Sequence, residues 1–185
     1  MAQEIEVKFP LRDRADLLAR LHELGGQRLY PETFEDNIVL DRRGELRTRG
    51  ALLRVRKFGR YALATFKGPM SIEGGVKSRE EVQTGVESFE LAIQLFDSLG
   101  FKPVFRYQKF REVWRVREVE VVLDRTPIGD YFEIEGAVET IRTVAAELGM
   151  NMDQAIRQTY ADLYRLARRT RADLPEHMVF AAEQL

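Results

Sequence analysis

From position 4 to position 9 the chain alternates between charged and apolar residues. Glu4, Glu6 and Lys8 occupy the even positions, and the odd positions hold Ile, Val and Phe. A repeat of two residues is typical of a β-strand whose two faces meet different surroundings. The pattern predicts a strand over residues 3–9 that ends at Pro10, because proline lacks the amide donor that a sheet needs.

The rest of the chain predicts further strands and amphipathic helices. Apolar residues at helical spacing predict helices over residues 12–24, 87–99, 139–148 and 152–169. Extended patterns predict strands over residues 28–41, 51–58, 60–67, 76–84, 104–117, 118–125 and 131–137. Residues 68–75 are rich in Gly, Pro and Ser and are interpreted as a loop. No element is assigned after Arg171.

Eight strands and four helices predict an α+β fold with a largely antiparallel sheet. The sheet either closes into a barrel or forms two facing layers, and the amphipathic helices pack outside it. The polar strand faces carry ionisable side chains on nearly every strand. These are Glu4, Glu6, Lys8, Arg54, Arg56, Lys67, Arg79, Glu81, Lys109, Arg111, Asp124, Glu133 and Glu135.

For any single strand, a solvated polar face is the simpler interpretation. Two features of the whole set favour an enclosed space instead. The apolar faces of many strands all need cover, which turns the charged faces inward if the sheet closes. The polar faces also hold long ionic side chains, with few Ser, Thr or Asn. A purely structural barrel with internal salt bridges remains an alternative.

Composition narrows the classes of function. The chain has 185 residues, 44% hydrophobic and 32% charged, which suits one large domain with a real core. A net charge of -1 argues against a polycation that binds nucleic acid. Cysteine is absent, and the two histidines, His22 and His177, are far apart. Thiolate chemistry is therefore excluded, and a histidine-rich metal site is not expected. No apolar run suggests a membrane segment, so we expect a cytoplasmic protein.

A charged interior is costly unless a ligand completes it, since each buried ion loses several kcal/mol of hydration. Lysine and arginine match phosphate oxygens, and arginine can bind them with two parallel hydrogen bonds. Clustered carboxylates match a hard cation such as Mg²⁺ or Mn²⁺. Together, the two kinds of side chain indicate a metal–polyphosphate complex.

The ordered motifs resemble the CYTH family, named for class IV adenylyl cyclase and thiamine triphosphatase. The resemblance starts with Glu4-x-Glu6-x-Lys8 and spans about residues 2–165. It continues through 53–56 (LRVR), 65–69 (TFKGP), 79–81 (REE), 109–111 (KFR), 123–124 (LD), 128–135 (IGDYFEIE) and 158–163 (QTYADL). Any one of these short motifs is weak alone, but the ordered set is specific.

The resemblance implies an eight-stranded antiparallel tunnel that holds a triphosphate and Mg²⁺ or Mn²⁺. It implies one domain over residues 1–170 and a tail over 171–185. Its catalytic candidates are Glu4, Glu6 and Lys8. Its phosphate-binding candidates are Lys8, Arg54, Arg56, Lys67, Arg79, Lys109 and Arg111. Its metal-binding candidates are Glu4, Glu6, Glu81, Asp124, Glu133 and Glu135. Many members carry a further acid where this chain has Gln83, which leaves the number of metal ions open.

Residues 78–82 and 100–104 look most like the class IV adenylyl cyclase branch, which converts ATP to cyclic AMP and pyrophosphate. Hydrolysis of tripolyphosphate, thiamine triphosphate or another triphosphate is the enzymatic alternative. The non-enzymatic alternative is a module that binds polyphosphate or a nucleotide. Such a module would need the bases but could lose the metal-binding acids. This chain retains those acids, which favours an enzyme. The expected partner is a nucleotide or another organic or inorganic triphosphate, without nucleic acid or membrane. A homodimer fits the resemblance, but no sequence feature indicates it.

Overall fold

A computed structural model describes residues 2–73 and 76–184, and a closed antiparallel sheet forms its centre. Its nine strands are β1 (Ala2–Pro10), β2 (Gln27–Asp41), β3 (Leu52–Phe58), β4 (Tyr61–Lys67), β5 (Ser71–Glu73), β6 (Val76–Val86), β7 (Lys102–Val116), β8 (Val119–Thr126) and β9 (Gly129–Glu135). Around the barrel the order is β1-β9-β8-β7-β2-β3-β4-β6, and pairing of β6 with β1 closes it. The predicted α+β barrel of eight antiparallel strands is confirmed, and β5 adds a ninth strand that pairs with β6.

Short helices lie outside the barrel, three between strands and two after the last strand. They are α1 (Arg14–Glu23), α2 (Glu45–Thr48), α3 (Phe89–Ser98), α4 (Val138–Glu147) and α5 (Tyr160–Thr170). Side-chain caps define several starts: Asp13 accepts a hydrogen bond from the amide of Asp16, and Ser88 accepts one from the amide of Leu91. Among the described residues, no helix combines the length and the apolar character that crossing a membrane requires.

The apolar faces of the strands point outward and are covered mainly by these helices. One cluster joins Val7 of β1 and Phe132 of β9 to Leu21 of α1 and Ile141 of α4. A second cluster packs Val55 of β3 against Ala92 of α3. Since this burial uses the outward face of each strand, the alternate residues must face the inside of the barrel.

The predicted single helix over residues 152–169 is wrong. Residues Met152–Gln154 form one 3₁₀ turn, an extended stretch follows, and α5 starts only at Tyr160. Two contacts explain the break. The amide of Ile156 donates to the carbonyl of Lys8 on β1 at 2.8 Å. Thr159 and Asp162 then form a reciprocal capping box that starts a new helix.

Two further elements differ from the sequence interpretation. Helix α2 was not predicted; it follows the end of β2, where Asp41 accepts hydrogen bonds from the amides of Leu46 and Arg47 at 3.1 Å. Part of the predicted loop 68–75 pairs as strand β5, and residues 74 and 75 lie outside the described range.

The segment after Arg171, to which the sequence assigned nothing, packs against the barrel. Met178 forms a parallel bridge with Tyr107 of β7: its amide donates to the carbonyl of Arg106, and its carbonyl accepts from the amide of Gln108. Leu174, Met178 and Phe180 are buried. The tail and α5 thus belong to the same packed unit as the barrel, as far as residue 184.

We expect Met178→Ala to lower the free energy of unfolding by roughly 2–5 kcal/mol, because it leaves a cavity under the tail. Met178 is fully buried, whereas Leu95 on α3 is 60% exposed. The matched variant Leu95→Ala should therefore change stability by no more than about 0.5 kcal/mol. Chemical denaturation of both variants provides the comparison. Equal effects would show that the tail does not pack as described.

Candidate active site

Ionisable side chains from the barrel strands point into a common interior. A cavity of about 130 Å³ opens at one end, where the start of α5 also reaches it. Its charged lining consists of Glu4, Glu6, Lys8, Arg54, Arg56, Lys67, Lys77, Arg79, Lys109, Arg111, Glu133 and Glu135. The inward faces predicted from strand alternation therefore converge in space.

A second cavity of about 400 Å³ opens into the same interior. Its own lining adds the acids Glu35, Glu81 and Glu120, together with apolar and aromatic side chains. Six residues border both cavities: Glu4, Arg54, Arg56, Lys67, Arg111 and Glu135. The two cavities therefore adjoin each other within the barrel, and we call the charged interior that they form the tunnel.

The first strand supplies a row of ion pairs along the tunnel. Glu4 pairs with Lys67 of β4 and, at 3.0 Å, with Arg79 of β6. Burial opposes the charge on Glu4, but these two cations outweigh it and lower its pKa to about 2. Glu6 lies 3.3 Å from Lys77, and Lys8 lies 3.2 Å from Glu133.

Asp124 ties three elements together beneath the tunnel wall. Its carboxylate accepts hydrogen bonds from Lys109 at 2.9 Å, from Arg111 at 2.7 and 2.6 Å, and from the hydroxyl of Tyr160 at 2.7 Å. The side chain is fully buried and borders neither cavity. It is thus engaged by its own donors, and Tyr160 anchors the start of α5 to the barrel.

Arg54 differs from the other bases of the wall. No carboxylate among the described residues lies within ion-pair distance of it, and its Nη1 donates instead to the hydroxyl of Tyr107 at 2.9 Å. Its Nε has no hydrogen-bond partner there. The neighbouring cations Arg54 and Lys109 outweigh the effect of burial and lower the pKa of the Tyr107 phenol. The wall is therefore electropositive around Arg54.

Glu135 is the exception among the acids. It stands opposite Glu6 in the pairing of β1 with β9, and no basic side chain among the described residues pairs with it. Although Glu135 is exposed to solvent, the surrounding protein removes part of the hydration of its carboxyl group, and this effect, followed by repulsion from Glu4, raises its pKa to about 7. An acid in these surroundings lacks a compensating positive charge.

Because Glu135 has no basic partner, it is suited to bind a divalent cation. Within the described ranges, no three Asp, Glu or His side chains are close enough together to make a preformed metal site. Glu81, Asp124 and Glu133 each have basic partners. Glu135 is therefore the candidate acid with no competing base among the described residues, and its neighbours Glu4 and Glu6 would have to release Lys67, Arg79 and Lys77 to bind Mg²⁺ or Mn²⁺ with it.

The structure places every predicted site residue except Glu81 and Asp124 along the first cavity. Glu81 borders the second cavity and lies 2.8 Å from Lys67. Gln83, at the position where many proteins of the resembling family carry a further acid, accepts a hydrogen bond from Thr65 at 3.0 Å. The roles assigned to these residues remain predictions.

Several residues of the tunnel were missed from the sequence: Glu35, Asn37, Lys77, Tyr107 and Tyr160. Glu35 is fully buried, 3.5 Å from both Arg56 and Lys109. Alternation could have found Lys77, which is two residues before Arg79, and Tyr107, which is two residues before Lys109. No periodic signal places Tyr160, because it enters the wall from a helix.

Comparison with known proteins gives a consistent result. Residues 2–160 match the sequence profile of the CYTH domain. A Methanocaldococcus jannaschii protein whose name proposes an adenylate cyclase is 28% identical over 174 residues, which cover 86% of this chain and 97% of that relative.

Solved structures share the fold. A conserved hypothetical protein of Pyrococcus furiosus aligns with a TM-score of 0.74 and 28% identity, over 86% of this chain and 99% of that one. A Hippeastrum protein, described as a proposed adenylyl cyclase with a dominant triphosphatase activity, aligns with a TM-score of 0.66 and 16% identity. That alignment covers 90% of this chain and 96% of the other, and at this identity it shows the fold alone.

The raised pKa of Glu135 predicts a pH-dependent stability difference. Folded Glu135 keeps its proton up to about pH 7, whereas an unperturbed glutamate ionises near 4.5. The folded state thus binds more protons across this window, so the contribution of Glu135 to stability falls as pH rises. We expect the stability of Glu135→Gln relative to the unsubstituted protein to increase from about pH 5 to about pH 8.

Urea denaturation at both pH values measures this difference. Glu139→Gln is the control, because Glu139 is an exposed glutamate on α4 whose side chain is 86% accessible. Its stability difference should stay nearly constant with pH. A constant difference for Glu135→Gln as well would mean that Glu135 is ionised in the folded protein.

Proposed function

Since this chain belongs to the CYTH domain family, we propose that it is a metal-dependent enzyme that acts on a triphosphate inside the tunnel. The observation that carries the proposal is the lining itself. Basic side chains and Glu135, an acid without a basic partner among the described residues, border the same cavity. A metal–polyphosphate complex supplies both of the missing charges.

The bases of the wall would grip the phosphate oxygens. Arg54, Arg56 and Arg111 can each present two parallel N–H donors, and Lys8 and Lys109 supply point charges. Phosphoryl and nucleotidyl transfer depend mainly on alignment and charge neutralisation. A rigid β-barrel suits this task, because pairing with neighbouring strands fixes the position of each base.

Mg²⁺ or Mn²⁺ would be held by Glu135 with Glu4 and Glu6, and when bound it would neutralise charge on the phosphates. The protein contributes position and exclusion of water. Glu4 is fixed by Lys67 and Arg79, and Glu6 faces Glu135 across paired strands. Glu4, whose pKa is lowered, would bind the cation as a carboxylate, and Glu135, whose pKa is raised, would have to lose its proton first.

The first candidate reaction is that of a class IV adenylyl cyclase. The ribose 3′-hydroxyl of ATP would attack the α-phosphorus, forming cyclic AMP, and pyrophosphate would leave. This choice is supported by the M. jannaschii relative, whose name proposes that activity.

The second candidate is hydrolysis of tripolyphosphate, thiamine triphosphate or another triphosphate. Water would attack a terminal phosphorus, and the remaining di- or polyphosphate would leave. The activity described for the Hippeastrum protein of the same fold keeps this candidate open. The two reactions use the same grip on the phosphates and differ in which phosphorus faces which nucleophile.

A product assay with ATP, tripolyphosphate and thiamine triphosphate, each with Mg²⁺ and with Mn²⁺, separates the candidates. Cyclic AMP and pyrophosphate from ATP would support the cyclase. Inorganic phosphate from any of the three would support the hydrolase. Binding without turnover of any substrate would favour a non-enzymatic polyphosphate-binding module.

Two substitutions should separate chemistry from binding. If Glu6 holds metal, Glu6→Gln should lower turnover roughly 100-fold while leaving triphosphate binding largely intact. Higher metal concentrations should partly restore the activity. Arg56→Ala should instead weaken binding by roughly ten- to a hundredfold, because it removes a charge-assisted phosphate contact.

Turnover assays and calorimetry with a non-hydrolysable triphosphate measure the two effects. Glu45→Gln is the control, since Glu45 lies on α2 and pairs only with the exposed Arg42 in the described structure. It should match the unsubstituted protein in both measurements. Full metal-dependent turnover in Glu6→Gln would refute the assignment of β1 to metal binding.

A further inference from the structure

Glu35 is a buried carboxylate beside three bases of the wall, two of which, Lys109 and Arg111, also bind Asp124. Its Oε1 lies 3.5 Å from Nε of Arg56 and 3.5 Å from Nζ of Lys109, and its Oε2 lies 3.9 Å from Nε of Arg111. The amide of Asn37 donates to Oε1 at 2.9 Å. The side chain is fully inaccessible, and Oε2 has no hydrogen-bond partner. Charge, more than hydrogen bonding, therefore ties Glu35 to its neighbours.

The position of β2 in the sheet explains why one acid reaches three bases. Strand β2 lies between β3, which carries Arg56, and β7, which carries Lys109 and Arg111. Glu35 pairs directly with Lys109 in the β2–β7 register. It therefore stands at the centre of the basic wall rather than at its edge.

Arg56 in particular needs such a partner while no polyphosphate is bound, because Glu35 is its one ion-pair partner among the described residues. Burial and the nearby Arg54 lower the pKa of Arg56, and Arg111 adds further repulsion, whereas Glu35 acts in the opposite direction. Although burial disfavours a charge on Glu35, Arg56 and Lys109 outweigh it and lower the pKa of this acid. Glu35 therefore remains ionised and reduces the repulsion among these bases.

We propose that Glu35 is a positioning residue that serves as a fixed internal counter-ion for Arg56, Lys109 and Arg111. The proposal rests on the proposed function of the tunnel, since it concerns how the basic wall receives a polyphosphate. Among the described residues Glu35 is the one carboxylate within ion-pair distance of Arg56, and it shares Lys109 and Arg111 with Asp124, which lies 2.9 and 2.6 Å from them. When no anion is bound, Glu35 thus holds Arg56 beside the two bases that Asp124 also fixes. Glu35 also repels the entering anion. The wall therefore binds the anion less tightly, but its bases are kept in alignment. Its surroundings are basic, which separates it from the metal-binding role proposed for Glu135.

The test compares tripolyphosphate binding by the unsubstituted protein and by Glu35→Gln in metal-free buffer. The glutamine keeps the size of the side chain and removes its charge. We expect the variant to bind tripolyphosphate roughly three- to tenfold more tightly, because one repulsive charge near the anion is gone. Its melting temperature should be lower without ligand and should rise more on adding tripolyphosphate. Turnover should fall, because the bases are no longer held in their alignment.

Glu112→Gln is the matched control. Glu112 is also a buried glutamate, and its partners are Arg14, Arg28 at 3.8 Å and the indole Nε1 of Trp114 at 2.9 Å. It borders neither cavity. Its substitution should lower the melting temperature while leaving the affinity for tripolyphosphate unchanged. If Glu35→Gln acted only by removing a buried ion pair, it would lower the melting temperature and leave the affinity for tripolyphosphate unchanged, as expected for the control.

Equal or weaker binding by Glu35→Gln, when the unsubstituted protein binds tripolyphosphate, would overturn the role of Glu35 alone. A lack of tripolyphosphate binding by the unsubstituted protein would overturn the proposed function and this role together. If Glu35→Gln does not fold in plain buffer, tripolyphosphate should restore its folding by supplying the missing negative charge. Failure to fold in both conditions would contradict the proposal.

Discussion

Neutralisation of charge inside a closed barrel is the constraint on which the rest of the structure depends. Closing the sheet removes most inward side chains from bulk water, and an unpaired buried ion costs several kcal/mol. The chain meets this constraint by alternating acids and bases between neighbouring strands. Lys8 on β1 faces Glu133 on β9, and Arg111 on β7 faces Asp124 on β8. The ion pairs are thus needed for the barrel to close, and they also form part of the site.

The outer surface follows from the same constraint. With one face of each strand committed to charges, the apolar core can form only outside the barrel, between strands and helices. This arrangement explains why the core is divided into separate clusters, one under α1 and α4 and another under α3. A third cluster lies where Tyr160 and Tyr164 of α5 meet Met178 of the tail. Tyr160 joins this cluster to the tunnel, because its hydroxyl reaches Asp124.

The sequence predicted correctly the strands whose two faces differ clearly in polarity. Charged and apolar residues alternate clearly on β1, so its inward face was predicted correctly. On β2 the contrast is missing, because Glu35 faces the tunnel while its neighbour Asp36 pairs outside with Arg106 at 2.6 Å. Two polar faces give no periodic signal, and Glu35 was missed. The start of α5 was missed for another reason. The spacing of apolar residues suggested one continuous helix, although the Thr159–Asp162 capping box could have been recognised in the sequence. The tail shows neither a periodic pattern nor a capping motif, because irregular contacts with β7 hold it in place.

Where the internal pairing is incomplete, the structure indicates where a ligand would complete it. Most lining acids and bases have partners of opposite charge, but Glu135 and Arg54 have none within ion-pair distance among the described residues. Both border the first and the second cavity, so they lie in the part of the tunnel that the two cavities share. An unpaired acid attracts a cation, and an unpaired arginine attracts an anion. A barrel designed only for stability would gain by pairing both with side chains of its own. Their joint isolation within an otherwise paired network therefore favours a tunnel completed by a bound metal and polyphosphate over a structural barrel.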